Sequence, residues 1–258
     1  MRIVAINSSH RGDKGLTRFF IDTIFRGAGE AGADCEVVTL AKLKINRCLS
    51  CYRCQTSEPH LICVYNDKDD VRMIFDKMAS ADIIVFATPV YLMSMTGLLK
   101  ALLDRMYSTM DINDVRLSSG LIHHHVNPAI SSKPFVALVV CSNLENESWK
   151  NVTSYFRTYA KFMEARQVGV LVRNASALFD YTHNPSLGKD FPKTIDVCKA
   201  YEQAGHELAT LGYIRDSTQR KANQEIVPLP FFSVLKHFRP IRERVIEYLR
   251  DESKNSAA

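Results

Sequence analysis

Short apolar runs alternate with amphipathic stretches through most of the chain, and this alternation predicts its architecture. Residues 2–7 form an almost unbroken apolar run of the kind buried on both faces of a parallel sheet. Residues 16–30 follow with Phe19, Phe20, Ile24 and Phe25 at helical spacing. A second strand is predicted over 35–40, and a helix opens near Asp69 and Asp70, where carboxylates suit the positive end of the helix dipole. Three more pairs follow: a strand over 82–87 with a helix over 96–110, a strand over 134–141 with a helix over 148–166, and a strand over 167–175 with a helix over 194–211.

Five strands alternating with five helices predict an α/β fold, a doubly wound five-stranded parallel sheet with helices on both faces, because right-handed crossovers leave few other arrangements. In the strand order 2-1-3-4-5, strands one and three are neighbours whose helices leave on opposite faces, and a ligand crevice opens at their carboxyl ends. Residues 1–214 therefore read as one ligand-binding domain with a polar insertion at 111–133. Residues 215–258 read as a C-terminal helical extension, with an apolar stripe through Phe231, Phe232, Leu235, Phe238, Ile241, Val245 and Leu249.

With 258 residues, 46% of them hydrophobic, the chain can build a full core without disulfide staples. Its net charge of +5 is spread out, with no block of five like charges, which argues against a nucleic-acid partner. No run approaches the roughly 18 apolar residues of a membrane span, and no signal-peptide pattern opens the chain. A cytoplasmic protein with reduced thiols and no membrane partner is expected.

Candidate chemistry gathers at two loops and one cysteine segment. After strand one, Asn7 to Thr17 supplies hydroxyls at Ser8, Ser9 and Thr17, a guanidinium at Arg11, and Gly12 and Gly15 ahead of a helix N-terminus, the parts of a phosphate nest. Neither the dinucleotide-binding G-x-G-x-x-G nor the G-x-x-x-x-G-K-[ST] loop is written there. A mononucleotide phosphate suits it, and a polar turn with Thr17 as a helix cap is the alternative. After strand three, Thr88-Pro89-Val90-Tyr91-Leu92-Met93-Ser94 puts apolar and aromatic residues where a chain meets solvent, which suits a flat hydrophobic ring or a buried strand-helix corner.

Cys48, Cys51, Cys54 and Cys63 put four of the seven cysteines into sixteen residues. Cys-x2-Cys-x2-Cys is the run that holds [4Fe-4S] centres, and Cys63 can reach as the fourth ligand. Zinc and a loop of reduced or disulfide-bonded thiols remain alternatives. Cys35, Cys141 and Cys198 sit in apolar contexts and read as small core residues. His123, His124 and His125, in the insertion, read as part of a solvated loop, Asp104 and Arg105 as helix-end residues that pair or cap, and Tyr181 and His183 as an ordinary loop after the fifth strand.

Taken together, Ser8-Ser9 to Thr17, the cysteine run, residues 67–70, and Thr88-Pro89-Val90-Tyr91 leading to Lys100, Asp104 and Arg105 resemble NADPH-dependent FMN reductases and iron-sulfur flavoproteins, over residues 1–175. The resemblance implies a flavodoxin-like fold that binds FMN. The phosphate would lie on Ser8, Ser9, Arg11, Gly15, Leu16 and Thr17. The isoalloxazine ring would lie against Thr88, Pro89, Val90, Tyr91, Leu92, Met93 and Ser94, with Ser142 and Asn143 closing its other side. It also implies a homodimer or homotetramer. The expected activity passes electrons from NAD(P)H through FMN to a small acceptor such as a flavin or quinone, with no side-chain acid or base, because the cofactor carries the chemistry. The alternative is an electron carrier with a [4Fe-4S] cluster on the four clustered cysteines. The chain departs from the family's usual loops in reading Asn7-Ser8-Ser9-His10-Arg11 after strand one and Ser142-Asn143-Leu144 after strand four.

Overall fold

Hydrogen bonding in the computed structural model, which describes residues 1–118, 120–181, 187–226 and 243, organises the chain around a parallel sheet. In chain order the elements are β1 (Arg2–Asn7), α1 (Leu16–Glu30), β2 (Asp34–Thr39), α2 (Arg53–Thr56), α3 (Val71–Ser80), β3 (Ile83–Pro89), α4 (Gly97–Arg105), β4 (Met110–Ser118) and β5 (Leu121–Val126). They continue with β6 (Phe135–Val140), α5 (Glu147–Phe162), β7 (Gln167–Arg173), α6 (Leu187–Asp190), α7 (Lys193–Leu211) and α8 (Asp216–Ala222).

Five strands form the sheet in the order β2-β1-β3-β6-β7, and every neighbouring pair is parallel. The strands are not consecutive in the chain, as the order 2-1-3-4-5 would have them. Residues 111–133, read as a polar insertion, contribute an antiparallel two-stranded ribbon, β4 with β5. That ribbon carries the three histidines in β5 rather than in a loop, and His123 is buried. The helix over 96–110 also ends early, because α4 stops at Arg105, a 3-10 turn covers Met106–Thr109 and β4 begins at Met110.

β1, β3 and β6 read as apolar runs because both of their faces are covered. Val4, Ile6, Ile84, Phe86 and Phe135 pack against Ile74 of α3, Leu99 and Leu102 of α4 and Phe156 of α5. Phe86 and Phe156 lie nearly parallel, with centroids 5.6 Å apart. On the other face α1 and α7 meet through glycines, as the close approach of Gly205 to the Ile24 carbonyl shows. Each fully buried Phe, Leu or Ile stabilises the fold by roughly 1.5–3 kcal/mol.

Met1–Gln224 forms one compact unit and Glu225–Ala258 a second. The first unit runs ten residues beyond the boundary expected at 214, because α8 completes the edge of the sheet. Gln219 Oε1 accepts the Val170 N–H at 2.8 Å, Asn223 Oδ1 accepts the Val172 N–H at 2.7 Å, and Asn223 Nδ2 donates to the Val170 carbonyl at 2.9 Å. Two side chains thus stand in for the missing neighbour of edge strand β7. Arg173, wholly buried, donates to the carbonyls of Ala222 at 3.2 Å and Gln224 at 2.9 Å, and so holds the end of α8. The apolar stripe of the extension and His183 lie outside the described residues.

Candidate functional site

At the carboxyl edge of the sheet, Asn7 stands between Thr39 and Ala87, so the loops after β1 and β3 leave side by side at the point where the strand order reverses. Asn7 shapes the first loop. Its Oδ1 accepts the Ser9 N–H at 3.2 Å and its Nδ2 donates to the Gly12 carbonyl at 3.1 Å, while Gly12 supplies the positive φ of 57°. Ser9 Oγ accepts the Arg11 N–H at 3.2 Å. A Cβ on Gly15 would come within 2.8 Å of Ser9 Oγ and 3.3 Å of the Arg11 Cβ, so a side chain there would have to push the Ser9 hydroxyl off the Arg11 N–H before α1 begins. No side chain caps α1, so its first-turn N–H groups face the loop, and Thr17 is buried beside them rather than serving as the cap.

Ser8 is committed elsewhere: its hydroxyl donates to the Ala87 carbonyl at 2.9 Å, tying the end of β1 to β3. Asp13 brings a negative charge into the loop. A hydrogen bond from Lys42, then one from Thr39, and the nearby Arg18 hold its carboxyl at about 2, so it is ionised and neutralised at once.

The second loop is a tight reversal. Tyr91 and Ser94 exchange backbone hydrogen bonds at 2.9 and 3.1 Å around Leu92 and Met93, whose φ values are 46° and 62°. Two consecutive left-handed residues that are not glycine store backbone strain, and Leu92 at the tip is 96% exposed. The apolar face expected from the sequence is therefore a protruding turn rather than a buried corner. His10, which the sequence reading passed over, spans the two loops: its ring lies 5.7 Å from that of Tyr91 at 22°.

Thr88 and Thr96 brace the base of this turn. Thr88 Oγ1 accepts the Thr96 N–H at 3.1 Å, and Thr96 Oγ1 caps α4 by accepting the Leu99 N–H at 3.2 Å. Thr96→Ala should lower stability by about 1 kcal/mol; an unchanged urea midpoint would refute that role for the cap. The Val90 N–H donates to the Val140 carbonyl at 2.8 Å, bringing the loop after β6 alongside. Of that loop's residues, Asn143 Nδ2 donates to Ser148 Oγ at 2.8 Å and Ser142 Oγ lies 3.3 Å from Ser176 Oγ, so both side chains are engaged within the protein.

The cysteine segment packs against the end of α4 and the 3-10 turn that follows it. Cys48, Cys51, Cys54 and Cys63 line one pocket with Tyr65, Arg105 and Tyr107. Ser50 and Tyr52 take positive φ values of 51° and 57°, which curls the segment inward, and the Ser50 N–H points to Cys48 Sγ at 3.4 Å. Burial raises the Cys54 thiol pKa; a hydrogen bond from Gln55 opposes this, and the neighbouring Cys63, Cys48 and Cys51 reinforce it. Among the described residues no three His, Cys, Asp or Glu side chains stand close enough to hold one metal ion. The donor set still fits a larger thiolate-bound group: four thiols converge on one pocket, and its wall includes Arg105, whose Nε is buried without a partner.

Arg105 is the floor of that pocket. It pairs with Asp69, both side chains almost wholly buried, and donates to the Asn46 carbonyl at 3.0 Å. Asp69 also accepts the N–H groups of Asn46 at 3.0 Å and Val71 at 3.2 Å, and Asp70 accepts that of Lys44 at 2.7 Å. The two acids expected at a helix start thus also latch residues 44–46 below the cysteines.

The family model described as NADPH-dependent FMN reductase matches residues 1–161. The chain belongs to the NADPH-dependent FMN reductase family. Within that setting it is 33% identical over 105 residues to an iron-sulfur flavoprotein of Archaeoglobus fulgidus, covering 41% of this chain and 48% of the relative. To one from Methanosarcina thermophila it is 31% identical over 105 residues, covering 41% and 52%. The match thus spans about half the length of these curated relatives. An FMN-dependent NADH-azoreductase from Bacillus anthracis in complex with FMN shares the fold with a TM-score of 0.57 at 12% identity, over 81% of this chain and 99% of that one. An NAD(P)H:quinone oxidoreductase from Methanothermobacter marburgensis does so with a TM-score of 0.52 at 16% identity, over 81% and 96%. Among the described residues no helix is long and apolar enough to cross a membrane.

Proposed function

We propose that this chain is an FMN-dependent oxidoreductase that takes electrons from NAD(P)H and passes them to a small acceptor such as a free flavin or a quinone. The observation that carries this reading is the pair of loops at the β1–β3 switch point, one a glycine-dependent turn into an uncapped helix, the other an exposed apolar reversal. Ser9, Arg11, Gly15, Leu16 and Thr17 would hold the phosphate through backbone N–H groups and the dipole of α1. Ser8 would serve that loop indirectly by fixing the end of β1. Thr88, Pro89, Val90, Tyr91, Leu92, Met93 and Ser94 would face the ring, Tyr91 braced by His10, with Ser142 and Asn143 alongside.

FMN held on these residues would supply the redox chemistry between reduced nicotinamide and the acceptor. The chain's own part is to position it: the two left-handed residues hold an apolar surface open to solvent, and Thr88 and Thr96 keep that surface fixed against α4. A homodimer or homotetramer in the cytoplasm is the setting we propose.

A second reading is favoured by the four-thiol pocket. Cys48, Cys51, Cys54 and Cys63 would hold a [4Fe-4S] cluster, which supplies one-electron transfer, and the 31–33% identity to iron-sulfur flavoproteins supports it. Arg105 would then face the cluster's negative charge.

Protein isolated without oxygen should show flavin absorption that bleaches on titration with NADPH, and an added broad shoulder with stoichiometric iron and sulfide marks the second reading. Colourless protein that also refuses added FMN at micromolar concentration sinks the flavin assignment.

A further inference from the structure

A second cavity backs onto the thiol pocket. It holds about 180 Å³ between α3, the 3-10 turn after α4 and the segment that follows β5, and none of its wall comes from the loops after β1, β3 or β6. Cys63, Arg105 and Ser108 stand between the two pockets, whereas Val71, Phe75, Thr109, Asn127 and Ile130 belong to this cavity and not to the other.

Most of its polar groups already have partners. Ser108 Oγ donates to the Arg105 carbonyl at 3.0 Å, Thr109 Oγ1 donates to that of Met106 at 2.7 Å, and Asn127 Oδ1 accepts the Ala129 N–H at 3.0 Å. Charge is balanced as well. Arg105 pairs with Asp69, and Arg72 at the rim lies 4.0 Å from Asp67 and one helical turn before Asp76. Two donors are left over: Arg105 makes its side-chain hydrogen bonds through Nη1 and its Nε is buried with no partner, while Asn127 Nδ2 bonds to nothing among the described residues. An N–H shut off from water in this way gains by finding an acceptor. Elsewhere the wall is apolar, formed by Leu61, Val71, Phe75 and Ile130, where water meets few polar partners and a ring or short alkyl chain would be covered.

Spare donors, no spare charge and an apolar wall together define a ligand class. We propose that this cavity binds a small uncharged organic molecule with an apolar body and a carbonyl oxygen, the oxygen accepting from Arg105 Nε and the body lying against Phe75 and Ile130. An ionised ligand is disfavoured because each arginine at the wall already faces a carboxylate. A thiolate-bound group across the partition would draw on the guanidinium's charge and would leave that N–H free, so the inference stands apart from both the flavin and the cluster readings.

Benzamide, which carries one carbonyl on a flat apolar ring, is the probe. Titrated into the protein as isolated and followed by ligand-observed NMR, it should bind saturably with a Kd on the order of 1 mM, the range open to a ligand of that size. Benzoate should bind at least about fivefold more weakly, because its charge has no free counterpart in the cavity. Arg105→Lys keeps a charge for Asp69 but removes the Nε donor, and it should weaken benzamide about tenfold. Ile130→Trp fills the cavity without touching Arg105 and should abolish binding, so the test survives if Arg105→Lys fails to fold. Leu49→Ala, which alters the thiol pocket alone, should leave the affinity unchanged. No saturable binding up to about 50 mM benzamide, equal affinity for benzoate, full affinity in Ile130→Trp or in folded Arg105→Lys, or loss of binding in Leu49→Ala each overturns the proposal.

Discussion

Arg105→Leu is expected to destabilise the protein by about 3–5 kcal/mol, because it leaves the Asp69 carboxylate buried without its counter-ion. The pair is nearly sealed from solvent, with side-chain exposures of 2% for Arg105 and 0% for Asp69. The guanidinium also lies over the Tyr65 ring, 5.3 Å from its centroid, and a leucine cannot replace its bond to Asn46. Burial by itself pushes the Asp69 pKa up, yet the hydrogen bond from Arg105 and the N–H groups of Asn46 and Val71 outweigh it and hold the pKa below its usual value. A carboxyl with a depressed folded-state pKa contributes stability above its unfolded pKa, near 3.9, and that contribution is lost as pH falls through the folded value. The gap between wild type and Arg105→Leu should therefore be widest near neutral pH and narrow below about pH 4. Urea unfolding at several pH values checks this, and equal midpoints at pH 7 would rule out the ion pair as a stabilising element. Asp69→Leu combined with Arg105→Leu should be less damaging than Arg105→Leu alone, since no charge is then stranded.

Gly205→Ala should lower the melting temperature by roughly 5–10 °C, which corresponds to about 2–3 kcal/mol for a chain of this size. A glycine inside a helix ordinarily costs about 1 kcal/mol relative to alanine, so on propensity alone the substitution would stabilise. Packing reverses the sign. A Cβ on Gly205 would lie 1.8 Å from the Ile24 carbonyl oxygen, and one on Gly27 would lie 1.9 Å from the Glu202 carbonyl oxygen, so α1 and α7 touch backbone to backbone at both places. Neither carbonyl can swing aside as a side chain would, and the helices must part. Gly29→Ala is the control: it sits in the partner helix α1, two residues after Gly27, with nothing within 4 Å of its Cβ, and it should be neutral or stabilising by up to about 1 kcal/mol. Because α1 carries the loop proposed for the phosphate, Gly205→Ala should also weaken flavin retention. Calorimetric scans showing equal losses for Gly205→Ala and Gly29→Ala would reject the backbone contact as the cause.

The parallel strands were legible because β1, β3 and β6 are buried on both faces, and a fully covered strand has to be an apolar run. The β4–β5 ribbon was not, for the opposite reason: Val115, Leu117 and Ile122 point to solvent at 53%, 77% and 65% exposure, so burial imposes no alternation that a pattern reading can find. At the site, the types of residue were legible and their partners were not. A serine announces a hydroxyl, yet that Ser8 donates to Ala87 depends on a neighbour 79 residues away in sequence. His10 offered no local signal, since its significance comes from lying against Tyr91 across two loops. Arg105 was read as a residue that pairs at a helix end, and the structure supplies what spacing could not, a partner 36 residues earlier.

Beside the contact of His60 Nε2 with Asp111 Oδ2 at 3.1 Å, one amide joins the thiol segment to the root of the ribbon through three hydrogen bonds. Gln55 of α2 donates to the carbonyls of Tyr107 at 3.1 Å and Met110 at 2.8 Å and accepts the N–H of Ile112 at 3.2 Å. Anything that reshapes the neighbourhood of Cys54, by oxidation or by ligation, must either break three bonds at once or swing the root of β4 with it, so the solvent-facing Val115 and Leu117 act as a lever arm whose tilt reports on the thiols.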